Sequence, residues 1–553
     1  KINSFNFILL KLIKIKLILI YCKKLLRNIM KNFIYVIISI FLISCGGTQE
    51  VQVKRMMVTT TSDEARELFY EALDTHSGLN WQKAENLLKA ALSKDPEFVT
   101  AKVLLNSPFV NNTDRKILTD IYKNSLESVS EMEAMYIKGW YQRVMGEGKE
   151  SRETFKELTS KYSDIPIFWL HSGILKSTGG GGDINDAIDD LKKCIEVNPN
   201  SYGANAYLMA KHMVVGTLGR MLPVDERDLE VAKMHIDRMI EIDPNNSYGP
   251  TYAGNYERAK GNFEKAIEYY EQVGNIPSED NLNVYQSNHY LALTNTFLKN
   301  YDVAESYFRR NIDLAEGGYD RQALFFMPSL HIFANNFDRA IEATDEYLEK
   351  LPSLEYNYVF ENSQIANTHA DRFLAYSHNQ QDEESFNEID LYAKYRMNVI
   401  EYNKSSMTEK QYDDGLEFLD YQVILMNAWH DILFGRYDEA RQSLSKAKNY
   451  VEGWIEESPD RQYPYFDINV FEGMIKLNEG DFNESIALFD KNIGKVGSGA
   501  LGIDNVYFDY FHGLALKGAG KNDEANILFD RIANENFYGI GRALVRELAK
   551  SQI

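Results

Sequence analysis

The ten histidines are the side chains best suited to hold a metal or to move a proton near neutral pH: His76, His171, His212, His235, His289, His331, His369, His378, His430 and His512. No two stand three or four residues apart, so no helix carries the two-histidine face that zinc chemistry uses. Gly146-Glu-Gly148-Lys149-Glu-Ser151 has the wrong glycine spacing for a phosphate loop, and no strand precedes it. It reads as a turn between helices. The run Gly179 to Gly182 lacks the lysine and threonine of a phosphate nest and reads as a long loop. Asp243-Pro-Asn245-Asn-Ser247 begins like a calcium loop but has neither glycine at its sixth place nor glutamate at its twelfth. Carboxylate pairs such as Asp189 and Asp190 sit on acidic helices, where they form a solvated face. No Gly-x-Ser-x-Gly elbow occurs. The residues therefore predict no enzyme, no metal and no cofactor.

What the spacing does specify is a packing unit. In Gly254-Asn-Tyr-Glu-Arg-Ala-Lys-Gly261-Asn-Phe263-Glu-Lys-Ala266-Ile-Glu-Tyr-Tyr270, numbered with Gly254 as position 8, small residues fall at 8, 15 and 20 and aromatics at 17 and 24. A small residue on each of two antiparallel helices lets their axes approach to about 8 to 10 Å, and Phe263 and Tyr270 fill the wedge. Gly261 stands between the helices, where a residue without Cβ takes the positive φ that ends a helix.

The unit recurs. Trp81, Ala84, Leu88, Ala91 and Pro96 form an early copy with Ala72 at position 8; Ala187 to Pro199 and Ala232 to Pro244 follow, then copies at Ala304, Ala340, Ala440, Ser485 and Ala525. This pattern resembles the tetratricopeptide repeat, over roughly residues 62 to 538. The resemblance implies an all-α fold: a right-handed α-solenoid of antiparallel helix pairs, a TPR-like superhelix. Residues 62–352 are expected as an N-terminal array and 411–538 as C-terminal repeats. Residues 105–165 and 353–410 fit poorly and predict degenerate or longer hairpins. Asp95-Pro96, Asn198-Pro199 and Asp243-Pro244 each close an apolar-periodic run, because proline cannot continue a helix. Residues 539–553 predict a capping helix with Ile540, Leu544 and Leu548 on one face and Arg542, Arg546 and Lys550 elsewhere.

The first 44 residues hold eight basic groups and no acidic one. Met30-Lys31-Asn32, the apolar run Phe33 to Ser44 and then Cys45 have the layout of a secretory leader. Leu42-Ile43-Ser44-Cys45 resembles the bacterial lipoprotein box, which implies cleavage before Cys45 and its lipidation. On that reading 1–29 is upstream translated sequence, 30–44 the signal peptide and 45–61 a linker. The rest of the chain carries 52 basic against 81 acidic groups, about −29, a charge that repels phosphate backbones and argues against nucleic acid. Cys194, the one cysteine left inside the array, is expected as a small buried hydrophobe.

In the resembling family, positions 2, 5, 9, 12 and 13 of the first helix line the concave surface. Carried over, they give Gln422, Leu425, Trp429, Ile432 and Leu433, then Val470, Met474 and Leu477, then Tyr507, Tyr510 and Leu514; the Gly254 copy offers polar Thr251, Asn255, Arg258 and Ala259 instead. The apolar set is the expected groove. The resulting expectation is a lipid-anchored scaffold in the bacterial cell envelope, at the outer rather than the inner membrane, with a protein or peptide partner. The alternative is a glycan-binding lipoprotein that stacks sugars on residues such as Trp429.

Overall fold

The computed structural model describes residues 53–553 apart from 111–112, 179–181, 214–217, 224–225, 279–280, 315–318, 355, 458–464, 492–500 and 503–504. The leader and Cys45 lie outside the described residues. Among the described residues every long element is a helix and none is a strand. In order they are α1 Asp63–Ser77, α2 Trp81–Lys94, α3 Val99–Leu105, α4 Arg115–Asn124, α5 Glu131–Val144, α6 Gly148–Lys161, α7 Pro166–Ser177, α8 Ile184–Val197, α9 Tyr202–His212, α10 Leu229–Ile242, α11 Tyr248–Ala259, α12 Phe263–Gly274 and α13 Leu282–Phe297. Then come α14 Tyr301–Asp313, α15 Tyr319–Phe333, α16 Phe337–Lys350, α17 Tyr358–His378, α18 Asp382–Asn403, α19 Glu409–Leu433, α20 Tyr437–Glu457, α21 Phe466–Glu479, α22 Phe482–Phe489, α23 Asn505–Gly518, α24 Asn522–Asn534 and α25 Ile540–Lys550. Each helix packs chiefly on the next, within a hairpin and from hairpin to hairpin. The molecule is thus an all-α solenoid of antiparallel helix pairs, consistent with a right-handed TPR-like superhelix.

The turn inside nine of the hairpins is chemically repetitive. Gly261 has φ +78°, the N–H of Gly261 donates to the carbonyl of Arg258, and the N–H of Asn262 donates to that of Glu257 at 2.9 Å. This is a Schellman closure, in which a left-handed residue turns the chain so that two orphan carbonyls are satisfied. Gly146, Gly435, Gly480 and Gly520 repeat it, and so do Leu79, Lys299, Asn335 and Gln380 at φ of 68°, 63°, 55° and 60°. Those four side chains hold a conformation that costs an L-residue roughly 1–2 kcal/mol, which explains why glycine alone does not reveal every copy.

Small-to-aromatic contact sets the spacing between paired helices. A Cβ on Gly254 would lie 2.4 Å from Tyr270 Cε1, one on Gly513 2.6 Å from Phe529, and one on Gly473 3.1 Å from Phe489. The same contact joins Gly139 and Phe155 at 2.5 Å, so α5 and α6, in a stretch whose sequence fits poorly, keep the unit with Gly146 at position 15 and Ser151 at position 20. There Ser151 Oγ donates to the Gly139 carbonyl at 2.8 Å, as Ser485 Oγ does to Gly473. Serine replaces alanine at this position because the position 8 carbonyl across the hairpin can accept its hydroxyl. Over 353–410 the chain forms a pair of 21- and 22-residue helices, α17 and α18.

Helices α2, α8 and α10 end with Asp95, Asn198 and Asp243 as C-caps directly before the prolines. Cys194 is buried, its thiol pushed up to about 11 by burial. Residues 54–61 are held against the array: Thr59 N–H donates to Glu133 at 2.8 Å, and Thr60 Oγ1 to Asp95 at 2.5 Å.

The terminal helix buries its arginines. Leu548 is 44% exposed, whereas Arg542 and Arg546 are 9% and 6% exposed. The arginines face inward because α25 packs on α15 as well as on α23 and α24, and what meets them there is aromatic and hydrogen-bonding.

Candidate binding face

Position 12 or 13 of three successive first helices carries Arg258 on α11, Phe297 on α13 and Phe333 on α15, places that the tetratricopeptide resemblance implies for an inner face. All three are buried, and what covers them is the end of the chain. Asn536 Nδ2 donates to the Arg258 carbonyl at 3.0 Å. Tyr538 lies among Phe297, Phe308, Phe326 and Phe333, with ring centroids 5.2 to 6.4 Å away, and its hydroxyl donates to the Phe326 carbonyl at 3.1 Å. Arg546 stands 4.9 Å over the Phe297 ring. Helical carbonyls retain a second lone pair, so a groove walled by helices can still accept hydrogen bonds from a segment laid across it.

The segment organises itself around Glu535 and Asn536. Arg542 Nη2 donates to Glu535 at 3.2 Å, Arg546 Nη2 to Asn536 Oδ1 at 2.7 Å, and Arg546 Nη1 to the Glu535 carbonyl. Phe537 is buried between guanidinium groups: Arg258 is 5.7 Å and Arg542 6.0 Å from its ring. Burial, reinforced by Arg227 and Arg546, pulls Arg542 down to about 9, while burial raises Glu535. Arg258 Nε and Nη1 have no hydrogen-bond partner among the described residues, and its guanidinium rests on Tyr290, Phe297 and Phe537 instead. A surface pair closes the rim: Lys299 Nζ lies 2.8 Å from Glu547, which also meets Lys550 at 2.6 Å.

The apolar set read from the sequence lies in the last hairpins, packed largely against itself. Leu425, Trp429, Ile432, Val470, Met474, Tyr507 and Tyr510 are buried; Leu433, Leu477 and Leu514 are half-buried. Trp429, 1% exposed, is enclosed by Phe373, Phe471, Tyr507 and Phe508 at 5.3 to 6.0 Å. The Tyr507 hydroxyl shares a 2.9 Å hydrogen bond with His378 Nε2, tying the last repeat to α17. Burial pulls His378 down to about 4, so its imidazole is neutral. In this arrangement Trp429 has no open ring face for a sugar.

Sequence reasoning passed over Phe297, Phe333 and Tyr538. Two phenylalanines at position 13 of consecutive copies were the available signal, and Asn-Phe-Tyr-Gly before the last helix was another. No group of three or more His, Cys, Asp or Glu side chains among the described residues could hold a metal ion, and no described helix is long and apolar enough to cross a membrane.

No protein-family model matches the sequence, and no curated protein matches it. Among solved structures, a tetratricopeptide repeat protein from Parabacteroides merdae is similar at 14% identity and a TM-score of 0.30, over 54% of this chain and 95% of its own. A Rap protein complexed with competence and sporulation factor is 12% identical at a TM-score of 0.34, over 76% and 99%. The Cut9–Hcn1 heterotetramer of the APC/C is 12% identical at 0.35, over 84% and 76%. At such scores these similarities carry no argument, and the fold class rests on the helix pairing itself.

Proposed function

We propose that this chain is a helical scaffold that binds a protein or peptide segment along the inner face of its repeats, and that it works outside the cytoplasm, held to a bacterial envelope membrane through lipid on Cys45. The observation that supports the binding reading is the docking of residues 536–546 across α11, α13 and α15: the face accepts a chain segment through helical carbonyls, aromatic walls and cation–π contact. Interfaces of this kind draw their energy from aromatic and arginine anchors, and both are present. The anchor rests on the leader layout and the Leu-Ile-Ser-Cys box. A strongly acidic chain gains little from anionic lipid, and stable attachment takes more than one acyl chain or signal, which a multiply acylated N-terminus supplies.

Affinity isolation of the tagged protein from membranes is expected to recover a stoichiometric protein partner. Recovery of the scaffold alone, under conditions that keep its fold, counts against the binding reading. Mass spectrometry of the mature N-terminal peptide is expected to show acyl chains on Cys45, with Cys45→Ser released from the membrane fraction; an unmodified Cys45 contradicts the anchor.

A further inference from the structure

The segment after the last hairpin lies across α11, α13 and α15, bonded to the Arg258 and Phe326 carbonyls. We infer that the inner face of α11, α13 and α15 recognises one class of segment, an asparagine followed by aromatic residues and then a helix with arginines four residues apart, and that Asn536 to Arg546 is its resident occupant, displaced by a partner of the same pattern. This rests on the scaffold reading above and adds the partner's chemistry to it.

Two donors in the segment meet two main-chain acceptors in the groove: Asn536 Nδ2 on the Arg258 carbonyl at 3.0 Å and Tyr538 Oη on the Phe326 carbonyl at 3.1 Å. Carbonyls of intact helices cannot be replaced by mutation, so the groove's demand for donors at that separation is fixed. Phe297 serves both the ring of Tyr538 and the guanidinium of Arg546, which couples the aromatic anchor to an arginine on the following helix. The pattern is selective because only an occupant with donors at both places adds these two hydrogen bonds to carbonyls that keep a second lone pair.

The occupant is also placed so that it can leave. It follows the last hairpin, and its rim contact, Lys299 with Glu547, stays 56% and 42% exposed. Its helix buries two arginines beside one glutamate, so part of the contact energy is offset by desolvated charge. A tethered occupant has an effective concentration of about millimolar. A free partner succeeds by binding more tightly than that competition allows, or by being brought to the same membrane.

The test uses the full chain and an isotope-labelled synthetic peptide of residues 535–553, read by hydrogen exchange with mass spectrometry. The peptide is expected to raise exchange in the protein's own 540–550 while 248–333 stay protected, and a scrambled peptide is expected to do nothing. Glu547→Lys, which sets a lysine against Lys299 at the half-exposed rim, loosens the resident segment and is expected to tighten peptide binding about two- to fivefold. Unchanged exchange over 540–550 at millimolar peptide, in both the natural chain and a helical Glu547→Lys protein, overturns the inference. If membrane isolation still yields a partner in that event, the scaffold reading stands and only the partner's chemistry falls.

Discussion

At the scale of single residues, this fold is governed by places where one atom more or less decides whether two helices meet. Tyr270 cannot swing away from a Cβ at position 254, because it is fully buried and its hydroxyl is bonded to Asn255 at 2.9 Å. Gly254→Ala is expected to cost about 1–3 kcal/mol in denaturant unfolding, the usual range for overpacking; a neutral result contradicts the packing described. The turns make the opposite prediction. Gln380, exposed and at φ +60°, is expected to stabilise the protein by about 0.5–1 kcal/mol when changed to glycine, read from the same unfolding curves. Buried histidines set the response to acid. Burial pulls His76 and His289 down to about 3 and His235 and His378 to about 4. Their stabilising contribution is full above the unfolded value of about 6.5 and is lost as pH falls toward the folded values. Asp371 and Asp509, raised to about 7 and about 6 by burial, act in reverse, losing their contribution as pH rises from about 4 through those values. With four histidines shifted this far against two aspartates, the melting temperature is expected to fall between pH 7 and pH 4, and a flat profile across that range contradicts the burial of the imidazoles.

Elements show how far a sequence can be read. The hairpins were legible because a glycine and an aromatic sixteen residues later make a contact inside one unit, and the prolines after α2, α8 and α10 mark local stops. Copies with Leu79, Lys299 or Gln380 at the turn were harder to see, because the left-handed conformation persists there without glycine. The orientation of α25 was not legible from its own residues. Ile540, Leu544 and Leu548 form an apolar stripe, but the neighbours that reach α25 come from α15, about two hundred residues earlier, and they present aromatic faces suited to guanidinium groups. Leu544 is buried along with the two arginines, and Leu548 is the member of the stripe left exposed. Arg546→Ala is expected to cost about 2–4 kcal/mol, since it removes a buried, hydrogen-bonded cation, whereas Leu548→Ala stays within about 0.5 kcal/mol. Thermal or urea unfolding of the two variants checks this directly, and equal costs contradict the inward orientation of the arginines.

For the molecule as a whole, the decisive contacts join distant parts of the chain. Gln411 Nε2 donates to the Met145 carbonyl at 3.0 Å, Asn246 Nδ2 to that of Gly78 at 3.0 Å, and Asn536 reaches Arg258. Repeat spacing says which helices pair but does not say which later turn covers an earlier inner face, because that depends on small rotations accumulated over many units. The apolar stretch from Leu425 to Leu514 was visible as a run of large side chains, and it is largely enclosed by its own neighbours. The polar copy at Gly254 turns out to hold a segment. Lys299 and Lys550 both meet Glu547, so a short amine-reactive crosslinker joining them reports the docked segment. Crosslinking in native membranes, with mass spectrometry of the products, is expected to give that Lys299–Lys550 link in the resting protein and, when partner is bound, to replace it with links from Lys299 to the partner. Partner links confined to outward lysines such as Lys193 and Lys448, with the Lys299–Lys550 link undiminished, would contradict binding along the inner face.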